Sequence, residues 1–238
     1  MDITLTNASF LSLLQLASPS LPVGAYSYSE GLETLVENDT INSYETLKQW
    51  LIAELNYGAI RLDTAVMIRI YRAVEIDNLS MLSDWNQWLS AARDTQELRN
   101  ASWQMGRSLF QLLAKLTQQS PNQKSQNQKI QDWAAAVGNH CNYAAAFAIA
   151  AAHWHIDIQA TILAYIQSWA TNLITAGIKL IPLGQTSGQL LLVELQEIFQ
   201  TAAMSILNLQ DDDICSCTWG LSLASMSHEV QYTRLFRS

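Results

Sequence analysis

The side chains best suited to bind a metal are four histidines and three cysteines. They stand as His140-Cys141, His153-x-His155, Cys215-x-Cys217 and the isolated His228. Imidazole and thiolate groups both ligate divalent transition metals. Residues one or two positions apart on a helix, however, point in different directions. We therefore predict no tight metal site and no tightly bound cofactor.

Acid–base catalysis has a weaker signal still, since the chain lacks the common nucleophile, zinc-protease and phosphate-binding motifs. Glu30 and Glu33 could share a helix face, but paired acids near a helix start also complement the helix dipole. One alternative stays open, an all-α hydrolase or isomerase that uses Glu30 or Asp94. A pocket that holds a carboxylate beside a second titratable group would favour this enzyme, whereas a flat aromatic groove would favour an adaptor.

A stiff aromatic loop opens the stretch from Ser18 to Asn38, SPSLPVGAYSYSEGLETLVEN. Its distinctive residues are two prolines, a glycine and two tyrosines: Pro19, Pro22, Gly24, Tyr26 and Tyr28. Proline fixes φ and prevents a helix here, and glycine permits a positive φ. The loop could simply seal one end of a helical core. Because tyrosine is enriched at interface cores, it could instead be a shaped surface for another protein.

Composition places limits on the partners. The chain has 238 residues, a net charge of −8 and a hydrophobic content of 49%. Between residues 130 and 233 the basic side chain is Lys179, against eight acidic ones. Such a half would repel phosphate backbones, so nucleic acid is a poor partner. The most apolar window, 134–158, contains polar residues throughout and offers no run of about 18 apolar residues for a membrane span.

The cysteine count and the N-terminus bear on the compartment. Three cysteines are an odd number, and two of them stand too close together for a comfortable disulfide. This pattern suits a reducing compartment. The first residues also lack the basic and small-residue pattern of a secretory leader. We expect a cytoplasmic protein.

Helical spacing runs through most of the chain, and only four prolines and nine glycines interrupt it. This predicts an all-α fold, a single-domain helical bundle of roughly eight to ten helices over residues 1–238. The polar segment 118–130 is predicted to be a solvated loop, and 208–238 a loosely ordered partner-binding tail. Gly106 lies inside a strong helix, at a cost of about 1 kcal/mol relative to Ala, which a close helix crossing would offset.

Helix starts are predicted from capping residues three positions before a Glu or Gln. Asn42 precedes Glu45, Asp94 precedes Glu97, and Thr186 precedes Gln189. The last of these follows a tight corner at Pro182 and Gly184. Gln185 and Gln189 then lie about one turn apart on one face.

Four stretches together resemble the UreF family of urease accessory proteins. They are LLQLASPSLPVGAYSYSEGLE (13–33), TQELRNASWQMG (95–106), AGIKLIPLGQTSGQLLL (176–192) and the terminal MSHEVQYTRLFRS (226–238). Lys179 stands where the family usually has Arg, which keeps the charge but loses the planar guanidinium fork. The resemblance extends over nearly the whole chain.

The resemblance implies a non-catalytic chaperone rather than an enzyme. Members are all-helical homodimers that bind the accessory protein UreD (UreH), recruit the GTPase UreG and modulate its GTPase step. The assembly delivers nickel to the urease apoprotein. Transient passage of Ni²⁺ through such an assembly would not require a tight site on this chain.

On this resemblance, the loop, the 183–189 corner and the terminal tail are expected to bind partners. The expected partner-binding residues are Pro19, Pro22, Gly24, Tyr26, Tyr28, Glu30, Gln185, Gln189, His228, Glu229, Tyr232, Arg234, Leu235, Phe236 and Arg237. The small side chains of the alanine-rich segment favour a central buried helix. The alternative is a dimer interface formed by this segment and the helix after it, with Tyr143, Ala144, Ala148 and Tyr165 as the candidate residues.

Overall fold

A computed structural model describes residues 3–118, 124–217 and 219–237. These residues form helices and no strand, which confirms the all-α prediction. The helices are α1 Asn7–Leu16, α2 Leu32–Glu37, α3 Tyr44–Tyr57, α4 Ala59–Glu75, α5 Leu79–Ala91, α6 Gln96–Gln118, α7 Lys124–Val137, α8 Tyr143–His153, α9 Ile158–Leu180, α10 Gln185–Glu194, α11 Gln196–Leu207 and α12 Trp219–Val230. Short 3-10 turns lie at Ala25–Ser27 and Asp211–Asp213.

The described residues contain twelve α-helices, more than the roughly eight to ten predicted. The difference arises where a continuous apolar pattern is divided by a sharp break. Gly58 separates α3 from α4, and Leu195 separates α10 from α11. Apolar spacing continues across both breaks, so the pattern alone does not reveal them.

The alanine-rich helix α8 lies at the centre of the molecule and packs against α4, α6 and α9. Every residue from Ala144 to Ala152 is buried, since small side chains let the neighbouring helices approach closely. Ala144 and Ala148 have no exposed surface, Tyr165 is buried and Tyr143 is half-buried against Phe147. The prediction that Ala144, Ala148 and Tyr165 lie in a dimer interface is therefore corrected, because a second chain could not reach their side chains, whereas the prediction for Tyr143 stays a prediction.

Gly106 allows the close approach that its position predicted. A Cβ built there would lie 2.2 Å from the carbonyl oxygen of Cys141 and 2.7 Å from backbone atoms of Asn142. Glycine therefore brings α6 against the backbone that enters α8. The adjacent Ser102 donates to Asn142 Oδ1 at 3.2 Å and fixes the same crossing.

The predicted caps are displaced by one or two residues. Ser43 caps α3 in a reciprocal pair with Thr46, and Thr95 rather than Asp94 accepts a hydrogen bond from the amide of Leu98. At α10 the N-cap is Gly184 and no side chain caps the helix, so the prediction for Thr186 was wrong.

Two segments are more ordered than predicted. The part of the 118–130 segment from Lys124 onwards belongs to α7, and residues 119–123 lie outside the described residues. The 208–238 segment contains α12, whose Leu221 and Ala224 are buried.

In the described ranges, no single helix is long and apolar enough to cross a membrane. Helices α10 and α11 reach the required length and apolar composition only when they are taken together, and the pair is bent by 46°.

Candidate functional site

The C-terminal tail docks on the loop and on α2. The stretches 13–33 and 226–238 are therefore in contact in the folded chain. The carboxylate of Glu33, in the first turn of α2, accepts hydrogen bonds from the amides of Leu235 at 2.6 Å and Phe236 at 2.9 Å. The amide of Arg237 donates to the carbonyl of Ser27 at 2.8 Å. The tail is thus attached through the backbone amides of these three residues.

His228 on α12 has no exposed surface and lies between two carboxylates. Its Nδ1 is 3.0 Å from Glu97 Oε1 on α6, and its Nε2 is 3.3 Å from Glu33 Oε2. Arg234 also approaches Glu97, with Nη1 3.4 Å from Oε1. These contacts of the buried His228 connect α2, α6 and α12, so the prediction that His228 faces a partner is corrected.

In each of two pairs of nearby residues, one in the loop and one in the tail, one side chain is buried and the other is exposed. Tyr28 is 5% exposed and Tyr26 is 70% exposed. Phe236 is 6% exposed and lies under Lys179, whose Nζ is 5.5 Å from the ring centroid, whereas Leu235 is 64% exposed. Burial raises the pKa of Tyr28, with Arg237 opposing the shift.

An exposed apolar stripe runs along α12 and continues into the tail. Its helical members are Trp219, Leu223, Met226 and Val230, spaced 4, 3 and 4 residues apart, and Tyr232 and Leu235 extend it. The opposite face of α12 carries small or polar residues as well as Leu221, and that face is buried. The helix therefore docks through its smaller side and presents larger apolar side chains outward.

A small cavity of about 60 Å³ lies behind the loop, where Glu30, Asp63 and Arg93 meet. Arg93 Nη2 donates to Asp63 Oδ2 at 2.6 Å, and Tyr165 donates to the same oxygen at 3.4 Å. Trp169 Nε1 donates to Glu30 Oε2 at 3.1 Å. The predicted surface role of Glu30 is corrected, because this bond turns its side chain inward.

Burial dominates the electrostatics of this region. It raises the pKa of Glu30 and of Asp63, and the positive charge of Arg93 opposes both shifts. Burial also raises the pKa of Glu54 to about 7, opposed by a hydrogen bond from the amide of Ala59 and reinforced by Glu30 and Asp63. These carboxyls hold protons more strongly than exposed ones.

A carboxylate beside a second titratable group is the arrangement that the alternative of a hydrolase or isomerase required. The serines lining the cavity are already engaged, since Ser102 donates to Asn142 and Ser168 donates to the carbonyl of Tyr165. Asp94 does not line this cavity, and it accepts a hydrogen bond from Ser222 on α12. Among the described residues that line the cavity, no serine is left free to act as a nucleophile beside Glu30.

The other predicted residues lie on the surface, but at two separate places. Around the loop and tail these are Pro19, Pro22, Glu229, Tyr232, Arg234 and Arg237, with Gly24 half-buried at φ +81°. Gln185 and Gln189 are exposed on α10. Of the first group, Arg234 donates to the carbonyl of Glu229 at 2.8 Å.

Sequence reasoning missed two features. Leu223, Met226 and Val230 were not recognised, although their spacing after Trp219 gives one helix face. Glu33, the acceptor for the tail amides, was considered only as one of a pair of acids. In the described part of the chain, no group of three or more His, Cys, Asp or Glu residues is arranged to hold a metal ion.

Comparisons with known proteins agree with the motifs. The family model UreF matches residues 41–196. Proteins named urease accessory protein UreF from Nostoc sp. (strain PCC 7120), Trichormus variabilis and Microcystis aeruginosa are 64%, 63% and 52% identical to the chain. The alignments cover 99%, 99% and 98% of this chain and 98%, 99% and 100% of the relatives, respectively. Because the match extends over nearly the full length, the chain belongs to the UreF family, a non-catalytic family of urease accessory proteins.

Proposed function

We propose that the chain is an adaptor in urease maturation. In this role it binds UreD (UreH), recruits the GTPase UreG, modulates its activity and takes part in delivering nickel to the urease apoprotein. It would act in the cytoplasm, with Ni²⁺ passing transiently through the assembly. Family membership supports the general role, and the outward apolar stripe of α12 and the tail supports a docking surface for UreD.

The stripe supports docking because its larger side chains point away from the chain's own core. Contiguous apolar surface of this kind is uncommon on monomers unless a partner covers it. Trp, Tyr, Met and Arg are the residues enriched at interfaces, and the stripe with its rim contains all four. Arg234 and Arg237 lie at the edge, where they would guide an acidic partner surface.

The proposal is tested with the double variant Leu223→Ser, Leu235→Ser, measured by capture of purified UreD. Both side chains are exposed, at 61% and 64%, so we expect little change in melting temperature. Loss of two apolar contacts at the centre of an interface should weaken capture about tenfold or more.

The matched control is Leu190→Ser, Val193→Ser on α10, whose side chains are 55% and 61% exposed. It removes similar apolar area from another face and should leave capture of UreD unchanged. Equal capture by the stripe variant and the wild-type chain would contradict the docking surface.

We also infer that the homodimer forms through α1 rather than α8. Phe10, Leu11 and Leu14 of α1 are exposed, and beside them a groove of about 370 Å³ lies between α1, α9 and α11. The groove is lined mainly by apolar side chains, including Leu163 and Phe199. Pairing of two such faces would bury apolar surface that the single chain leaves in water.

Leu14→Glu should reduce the mass of the purified chain in light scattering from twice 26.6 kDa to a single chain. A carboxylate in this face would be buried without a partner. Gln15→Glu adds the same charge to the exposed neighbouring position and should leave the dimer intact. A dimer that persists in Leu14→Glu would place the interface elsewhere.

A further inference from the structure

Both ring nitrogens of the buried His228 face carboxyl groups. Nδ1 lies 3.0 and 3.1 Å from the two oxygens of Glu97, and Nε2 lies 3.3 Å from Glu33 Oε2. An ionised carboxylate can only accept hydrogen bonds, and a neutral imidazole carries one N–H and one lone pair. With a neutral ring, one of these contacts would therefore set a nitrogen lone pair against a carboxylate oxygen. Both contacts are hydrogen bonds only when the three groups hold one more proton.

The other hydrogen bonds of the two carboxylates indicate that this proton lies on the ring. Glu33 Oε2 also accepts from the amide of Phe236 at 2.9 Å, and its Oε1 accepts from the amide of Leu235 at 2.6 Å. Glu97 Oε1 lies 3.4 Å from Arg234 Nη1. Such N–H donors bind an ionised carboxylate more strongly than a neutral acid. With the proton on the ring, each ring nitrogen donates and each carboxylate accepts.

The charges around the ring balance only with this proton. Glu33 and Glu97 contribute two negative charges, and Arg234 contributes one positive charge, which leaves −1. A further carboxylate, Glu229 on α12, is exposed and accepts from the backbone amide of Glu97 at 3.3 Å. An uncompensated negative charge beside a side chain with no exposed surface is unfavourable, and a positive charge on His228 removes it.

We propose that a proton on His228 holds α12 and the tail in their docked position, and that loss of this proton releases the tail. The link is Glu33, which contacts the ring with one oxygen and binds the tail amides with both. When a ring nitrogen presents a lone pair to a carboxylate, the two repel each other, and α12 or the carboxylate must move. Because the docked form needs the proton and the released form does not, docking is favoured at lower pH and is lost as the pH rises.

Release of the tail would change the surface of the chain. Phe236 is 6% exposed in the docked tail and would become accessible, and the exposed Leu235 would separate from the helical part of the stripe. The consequence for capture of UreD rests on the proposed docking surface, whereas the proton and the tail contacts do not.

The test is NMR spectroscopy of the full-length chain between about pH 5.5 and 9, with labelled histidine and phenylalanine rings. The ring nitrogen shifts report the protons on His228, which is assigned by elimination with glutamine variants of the three other histidines. The carbon-bound ring protons of Phe236 report docking and do not exchange with solvent. We expect both ring nitrogens to be protonated while the tail is docked, and the loss of one proton and the shift of the Phe236 signals to share one midpoint.

Glu97→Gln distinguishes this role from a merely structural one. Its amide N–H can donate to a ring lone pair, so a neutral ring then satisfies both neighbours. The Phe236 signals should stay at their docked position over the whole pH range. Glu37→Gln is the matched control, since Glu37 lies on α2 and is exposed, and it should titrate as the wild type does.

Three results would overturn the proposal. They are a singly protonated ring while the tail is docked, a tail that stays docked after the wild-type ring has lost a proton, and a Glu97→Gln chain that releases its tail as the wild type does. Capture of purified UreD is measured separately at both ends of the pH range. If the ring and Phe236 titrate together but UreD is captured at neither end, the docking surface fails and the proton-dependent tail contact stands.

Discussion

Helices α8 and α12 are both short and apolar, yet α8 is buried in the core and α12 exposes one face to solvent. Ala144–Ala152 of α8 are all buried. On α12 the side chains of Trp219 and Leu223 are exposed, whereas Leu221, Ala224 and Ser225 are buried. Apolar composition therefore does not distinguish a core helix from a docking helix in this chain.

The difference lies in side-chain size and in how many neighbours surround each helix. Alanines on every side of α8 let α4, α6 and α9 approach it together. Helix α12 packs on α2 and α6, and its inward face is mostly small or polar. The larger side chains on the remaining face are at least half exposed, so that face is the one proposed to bind a partner.

The largest expected effect comes from Phe147→Ala in α8. Phe147 is fully buried and lies edge-on to Tyr165, with ring centroids 5.0 Å apart. Its truncation should leave a cavity and lower the free energy of unfolding by about 3–5 kcal/mol, measured by urea denaturation.

Leu223→Ala in α12 is the comparison, since Leu223 is exposed. Surface truncations of this kind change stability by about 0.5 kcal/mol or less. Similar losses in both variants would mean that α12 is as much a part of the core as α8, and the contrast between them would fail.

Much of the fold could be predicted, because helix formation depends on local spacing that the sequence displays. The all-α class, the burial of α8 and the close crossing at Gly106 all follow from residue size and periodicity. The predicted surface was less accurate. Tyr26 and Tyr28 alternate with serines as they would in an extended strand, but Ala25–Ser27 forms a 3-10 turn. Such a turn rotates about 120° per residue, so the two tyrosines point to different sides.

Long-range pairing explains the remaining differences at the site. Glu33 and Leu235 are 202 residues apart in the chain, and no local pattern predicts that the first accepts a hydrogen bond from the second. His228 and Phe236 looked like exposed partner residues because a terminal segment normally lacks a core of its own. Here the contacts of His228 with Glu33 and Glu97 hold the segment against α2 and α6 instead.

A smaller effect is expected from Gly106→Ala, which tests the close packing around α8 directly. The new methyl group would meet the backbone of Cys141 and Asn142, which cannot rotate away as a side chain can. Overpacking of this kind costs about 1–3 kcal/mol, and the higher helix propensity of Ala offsets only about 1 kcal/mol of it. Thermal and urea unfolding should both show a net loss of stability.

Gly220→Ala on α12 makes the same substitution in a helix with one open face. The added Cβ would lie 3.2 and 3.3 Å from two ring atoms of Trp50, which is a half-buried side chain and not backbone. Helix propensity then counts in favour of Ala, so the change in unfolding free energy should fall within about 0.5 kcal/mol of zero. A clearly larger loss at Gly220 than at Gly106 would reverse the comparison, since it would make α12 the tightly enclosed helix and α8 the tolerant one.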